Sequence, residues 1–115
     1  MTNNERMEEA VEARDAKDYE RAFRLFSALA ETGSPKAKLN LATFFDLGLG
    51  IERDGRKAEQ LYLEVGAMGI EEEHLSSLAY HNLSVLYFTG APGLNPDREK
   101  AEKYHVKARE LGFEM

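Results

Sequence analysis

The amino-acid sequence predicts an all-α fold, an α-solenoid of about three antiparallel helical hairpins, and three observations carry that reading. The phrase "GLGIERDGRKAEQLY" at residues 48–62 returns as "GAPGLNPDREKAEKY" at residues 90–104. Apolar residues after each phrase recur at the spacing of one helix face. A looser copy of the same spacing follows Asp18. A chain of 115 residues that repeats one unit in this way stacks its units to share a core.

The elements follow in order. Residues 3–16 predict a helix that completes the first hairpin, with Glu5, Glu8, Glu9 and Glu12 giving it a polar exterior. Asp18 then begins a stripe of Ala22, Leu25, Phe26 and Leu29 and leads to Gly33. Asp54 begins the same series with Ala58, Leu61, Tyr62, Val65 and Gly69, and Asp97 with Ala101, Tyr104, His105, Ala108 and Gly112. Positions four, seven, eight and eleven after the aspartate share one side of a helix of period 3.6. Aspartate suits the N-cap, where its side chain accepts from unpaired backbone N–H groups; glycine suits the left-handed C-terminal cap. A preceding helix, "AKLNLATFFDLG" at 37–48, aligns with "AYHNLSVLYFTG" at 79–90. Small residues such as Ala37, Ala58, Ala79 and Ala101 allow close helix approach, and Phe45, Tyr62, Tyr87 and Tyr104 fill the space between.

From Asp18 to Asp54 is 36 residues and from Asp54 to Asp97 is 43. Six of the extra residues lie in "IEEEHL" and one in "GAPGLNPD", both read as connections. The chain is expected to form a single domain, 1–115, divided into a capping hairpin 1–33, a repeat 34–69 and a repeat with an insert 70–112. Position twelve after the aspartate is Ala30, then Gly66, then Arg109, so charge is expected to cap the end of the stack, and the domain is read as complete.

Composition narrows the function classes. With 43% hydrophobic and 31% charged residues the chain is neither disordered nor able to span a membrane as a helix. The acidic "MTNNERMEEAVEARD" lacks the basic start and apolar run of a secretory signal, so a cytoplasmic location is expected. Zero cysteines leave no disulfide, thiolate nucleophile or sulfur-rich zinc site. A net charge of −6 opposes nucleic-acid binding and favours a basic protein partner.

The segment "NLATFFDLGLGIERDGRKAEQLYLEVGAMG" strongly resembles the Sel-1-like repeat, a relative of the tetratricopeptide repeat. It keeps Asn40, Leu41, Gly48, Gly50, Asp54, Lys57, Ala58, Leu61 and Tyr62 of that pattern, with Ala42 for glycine, Phe45 for tyrosine and Ile51 for valine. The next unit keeps Asn82, Leu83, Tyr87, Gly90, Gly93, Asp97, Lys100, Ala101 and Tyr104. The first unit, "ARDAKDYERAF", has the short turn of an ordinary tetratricopeptide repeat. The resemblance covers residues 18–112 and implies a non-enzymatic adaptor or scaffold that binds a protein partner, with no cofactor or metal, no membrane, and a monomeric or weakly homo-oligomeric state. Disulfide-rich relatives linked to β-lactam binding depend on cysteines absent here. The small size and acidic charge keep a second reading open, an immunity-type inhibitor that neutralises a basic toxin domain.

In related repeats the first helix of each hairpin lines a concave groove. The resemblance therefore implies partner-binding positions at Leu39, Thr43 and Asp46, with Leu47 beside them, and at Leu78, His81, Val85 and Phe88, with Thr89 beside them. The bland alternative is that neighbouring helices, or Ile70 and Leu75 of the insert, cover these side chains. Glu71, Glu72 and Glu73 are expected either to lengthen the next helix at its positive end or to form an acidic patch for a basic partner. Asn40 and Asn82 suit a peptide clamp or a structural hydrogen bond, and Lys57 and Lys100 are repeat residues near helix starts. His74 and His81 stand seven apart and belong to no established metal motif, and Ser76 and Ser77 to no nucleophile motif.

Overall fold

The computed structural model describes residues 1–112, with the side chain of Ile70 also outside the described set; the last three residues of the expected domain therefore lie beyond it. Six α-helices run in order: α1 (Asn3–Asp15), α2 (Tyr19–Glu31), α3 (Pro35–Leu47), α4 (Gly55–Gly66), α5 (Glu73–Thr89) and α6 (Arg98–Glu110). They pair as three hairpins, stacked so that α3 packs on α2 and α5 on α4. The result is an all-helical solenoid 42 Å along its longest axis.

Each second helix starts as its aspartate dictates. Asp18 accepts from the Arg21 N–H, Asp54 from those of Arg56 and Lys57, and Asp97 from that of Lys100, at 3.0–3.4 Å. The same aspartates set the register between repeats through their own amides. Asp18 N–H donates to the Ala13 carbonyl at 2.8 Å, Asp54 to Phe45 at 2.9 Å and Asp97 to Tyr87 at 2.7 Å. Ala13, Phe45 and Tyr87 are therefore structural equivalents. At the far ends, Gly33 and Gly112 stand two residues past α2 and α6 at φ of 94° and 95°, a region costly for any residue with a Cβ.

Two core clusters form where hairpins meet. Between the first and second, Phe26, Leu29 and Phe44 are buried, and the Phe26 and Phe44 rings meet edge to face at 5.7 Å. Between the second and third lie Ala58, Tyr62, Val65, Ala79, Leu83, Leu86 and Tyr87. The glycine-rich loops stack as well. A Cβ at Gly50 would lie 2.7 Å from Cβ of Tyr19 at the start of α2, and the Gly55 N–H at the start of α4 donates to Pro92 at 2.8 Å. Glycine in the repeated phrase thus lets one unit's loop touch the next helix backbone.

The insert divides in two. Gly69–Glu72 forms a short 3-10 turn, and Glu73 opens α5, which at 17 residues is longer than the 13-residue α3. Ser34 caps α3 by accepting from the Ala37 N–H at 3.2 Å, whereas its equivalent Ser76 lies inside α5 and donates to the Val65 carbonyl at 2.8 Å. The acids Glu71, Glu72 and Glu73 sit around this helix start, where the dipole favours them.

Candidate functional site

The expected groove residues fall on two surfaces. A concave groove of about 650 Å³ runs between α1, α3 and α5. Leu39, Phe44, Leu75 and Leu78 supply its apolar lining, and Arg14 and Lys36 its cations, with the His74 imidazole beside them. Asn40, Thr43 and Asn82 add polar groups. No aspartate or glutamate is among the described residues that line it. A second groove, about 470 Å³, lies on the outer side of the third hairpin between α5 and α6, bordered by His81, Val85, Phe88, Glu102 and His105. One stripe of α5 serves both: its first half borders α3 and its second half borders α6.

The expected positions are therefore divided between two surfaces. Leu39 is only 7% exposed and belongs to the second core cluster, so its side chain supports the groove rather than offering free surface. Leu78 is half-buried against the same cluster, as is Leu75. Asp46 is engaged within its own hairpin, accepting from the Tyr62 hydroxyl at 2.9 Å with Arg53 at 3.7 Å. Burial first, and then the Asp46 carboxylate, raise the Tyr62 phenol well above its ordinary range, so it stays a donor. Thr43 is half-buried, its hydroxyl donating to the Leu39 carbonyl. Val85 and Phe88 are 48% and 59% exposed. Glu71 and Glu73 are exposed and Glu72 is half-buried, all away from both grooves.

The repeat residues with ambiguous roles have local partners. Lys57 Nζ lies 5.2 Å from the Phe45 ring centre, and its equivalent Lys100 lies 5.4 Å from Tyr87. The lysine and the aromatic residue of the repeat therefore form one cation–π pair in each of the two later units. Asn40 donates to the Lys36 carbonyl at 2.9 Å and accepts from Arg14 at 2.6 Å. That second bond ties α1 to α3 and holds the Arg14 guanidinium at the groove edge. Arg14 was missed in the sequence because groove positions were sought only in the two glycine-containing units, and Lys36 because they were sought in α3 only from Leu39 onward. The signal lay in the register: Arg14 follows Ala13 as Asp46 follows Phe45 and Phe88 follows Tyr87.

His74 and His81 share a face of α5 but border different grooves. Among the described residues no group of three His, Asp or Glu side chains is placed to hold a metal ion, and no helix is long and apolar enough to cross a membrane. Burial, and then the charge of nearby His105, lower His81 below its ordinary 6.5.

The Sel1 repeat model matches residues 15–34, 35–69 and 77–113. Among solved structures, the chain is similar to c5321, a protective antigen of uropathogenic Escherichia coli with an SLR fold, at TM-score 0.70 and 29% identity over 81% of this chain and 19% of that one. It is similar to a Sel1 repeat protein from Oxalobacter formigenes at TM-score 0.68 and 24% identity, covering 80% and 35% of the two chains. The fold also matches Helicobacter pylori cysteine rich protein B at TM-score 0.67 and 20% identity, over 97% of this chain and 90% of that one. The chain spans about a fifth and a third of the first two proteins, and no curated protein matches it. The capping aspartates, the lysine–aromatic pairs, the stacked glycine loops and the three matched segments agree: this chain belongs to the Sel1 repeat family, whose members are generally protein-interaction modules.

Proposed function

We propose that the protein is a non-enzymatic interaction module of adaptor type that holds an extended, acidic segment of a partner in the concave groove. The observation that carries this is the charge of the groove. A chain of net charge −6 has set Arg14 and Lys36 beside one apolar floor, with Asp15, the ion-pair partner of Arg14, outside the lining. Exposed charges more than about 10 Å apart are largely screened at moderate salt, so this local sign outweighs the overall charge. Asn82 and Thr43 add hydrogen-bonding capacity for a peptide backbone, and the leucines offer pockets for alternate side chains.

The test uses two short fluorescent peptides, one rich in glutamate and one rich in lysine. Saturable binding of the acidic peptide, weakened about tenfold by Lys36→Glu, supports the reading; a loss of that size is about 1.4 kcal/mol. Equal binding by the variant refutes it. A second reading, a dedicated inhibitor of a basic domain, draws on the exposed acids Glu5, Glu8 and Glu12 of α1 together with Glu71 and Glu73. Binding of the lysine-rich peptide, lost on substituting those acids and insensitive to Lys36→Glu, would favour it.

A further inference from the structure

The shared register allows every position of the third hairpin to be compared with the second. Leu39, Ala42, Ala58 and Tyr62 are buried between the second and third hairpins. Their equivalents His81, Ser84, Ala101 and His105 border the outer groove between α5 and α6. Two further equivalents move towards apolar character: Val85 stands for Thr43 and Phe88 for Asp46. The other end of the stack changes in the opposite sense. Glu5 and Glu9 of α1 occupy the positions of Ala37 and Leu41, so the first hairpin carries charge where inner repeats carry core. One end is polar, whereas the other keeps an open apolar seat.

That seat is closed to another unit of the same kind. In the second hairpin, glycine stands at two places where the third presses close. A Cβ on Gly55 would lie 2.9 Å from the Pro92 carbonyl and from the Cβ atoms of Ala91 and Leu94, and one on Gly66 would lie 2.4 Å from the Tyr80 ring. The equivalents in the third hairpin are Arg98 and Arg109. Tyr19, the equivalent of Arg98 in the first hairpin, still lets a glycine loop seat against it. Arg109, however, stands where the earlier hairpins carry Ala30 and Gly66, and there it bars a long helix from docking as α5 docks on α4. Between the arginines lie about 16 Å of α6, three helical turns.

We propose that the groove between α5 and α6 receives a single amphipathic helix, about three turns long, from a different protein. Its buried face would carry small and aromatic side chains, because Ala79, Leu83 and Tyr87 of α5 fill the equivalent seat one repeat earlier. A tyrosine hydroxyl would meet Glu102, as the Tyr87 hydroxyl donates to the equivalent Glu59 at 2.5 Å. Acids near its ends would face Arg98 and Arg109. A second copy keeps its own Ala79, Leu83 and Tyr87 buried in its core and so presents no free helix of this pattern. The other exposed large apolar side chains among the described residues, Met1, Leu47 and Val106, are single residues on separate elements. This surface is distinct from the concave groove and does not depend on what that groove binds.

The probe is a fluorescent, side-chain-stapled helix of about three turns that carries the Ala79, Leu83 and Tyr87 spacing and a glutamate at each end. Its anisotropy is titrated with wild-type protein and with Phe88→Asp, Val85→Asp, Arg98→Glu and Lys36→Glu, each first shown to be folded by circular dichroism. The proposal expects saturable binding by the wild type and at least tenfold weakening by both aspartate variants. Arg98→Glu should weaken this probe more than one with neutral ends, and Lys36→Glu should change nothing. No saturable binding, or equal binding by the aspartate variants, overturns it. So does a wild-type dimer in sedimentation equilibrium that Phe88→Asp dissociates, since the occupant would then be a second copy.

Discussion

Gly55→Ala adds one methyl group where the third hairpin's loop rests on the second. The new Cβ would stand 2.9 Å from three atoms, none of them the free end of a side chain: two are Cβ atoms fixed to the loop backbone and the third is the Pro92 carbonyl oxygen. That oxygen already accepts from the Gly55 N–H at 2.8 Å, so the loop cannot retreat without stretching a hydrogen bond. Overpacking of this kind costs about 1–3 kcal/mol. Alanine restricts the unfolded chain and returns about 0.4–1 kcal/mol. The clash wins by about 1–2 kcal/mol, which at about 4–8 °C per kcal/mol lowers the melting temperature by roughly 4–16 °C. The assay is thermal unfolding followed by far-UV circular dichroism, with Arg98→Ala as the matched control at the equivalent, exposed position. The control should lose no more than the exposed cation–π contact to Phe88, about 0.5–1 kcal/mol. A Gly55→Ala protein that melts at or above wild type would refute the seating of the loop.

Three further outcomes are expected. Leu39→Ala should cost about 2–4 kcal/mol in denaturant unfolding because the side chain is 7% exposed, whereas Val85→Ala, at 48%, should stay within about 0.5 kcal/mol; similar losses would place both in the core. Tyr62→Phe removes the donor to Asp46 from a site 1% exposed and should cost about 1 kcal/mol, with no loss contradicting a formed hydrogen bond. His81 titrates lower in the folded chain than its ordinary 6.5, so its contribution is present above that value and is lost as pH falls through the folded one. Stability should therefore fall more steeply between about pH 7 and 5 in wild type than in His81→Gln, a comparison in which the neighbouring His105, Glu102 and Arg98 are held constant. Equal slopes would show that His81 is not held neutral by the fold.

The helices were legible because their signals are local. A capping aspartate, a stripe of apolar residues and a terminal glycine act within one or two turns, and Asp54, Tyr62 and Val65 stand where those signals put them. The insert was only half legible. An acidic run suits both a 3-10 turn and a first helical turn, and nothing local decides that Ser76, a capping residue by alignment, turns inward to Val65. The candidate groove was least legible. Periodicity tells which side of α3 faces away from α4, but not that α5 comes over Leu39 while leaving Thr43 at the groove edge. Arg14 is a polar residue on a polar helix until the fold sets it beside Asn40, 26 positions along the chain.

Positions at which the repeats agree are accounted for inside the unit. Asp18, Asp54 and Asp97 cap; Ala58 and Ala101 admit a neighbouring helix; Lys57 and Lys100 lie over their own aromatic rings. Agreement therefore marks architecture and says little about a partner. The informative positions are structural equivalents that differ, and one of them holds Arg14, Asp46 and Phe88. In the first hairpin it reaches Asn40 of α3, in the second it accepts from Tyr62, and in the third it is 59% exposed beneath the Arg98 guanidinium. The same backbone site thus carries a cation, an anion and an aromatic ring, each set by what lies next to it. At Phe88 a large apolar side chain stands exposed where both other hairpins use a charged one, which is why the proposed docking of a helix is tested there first.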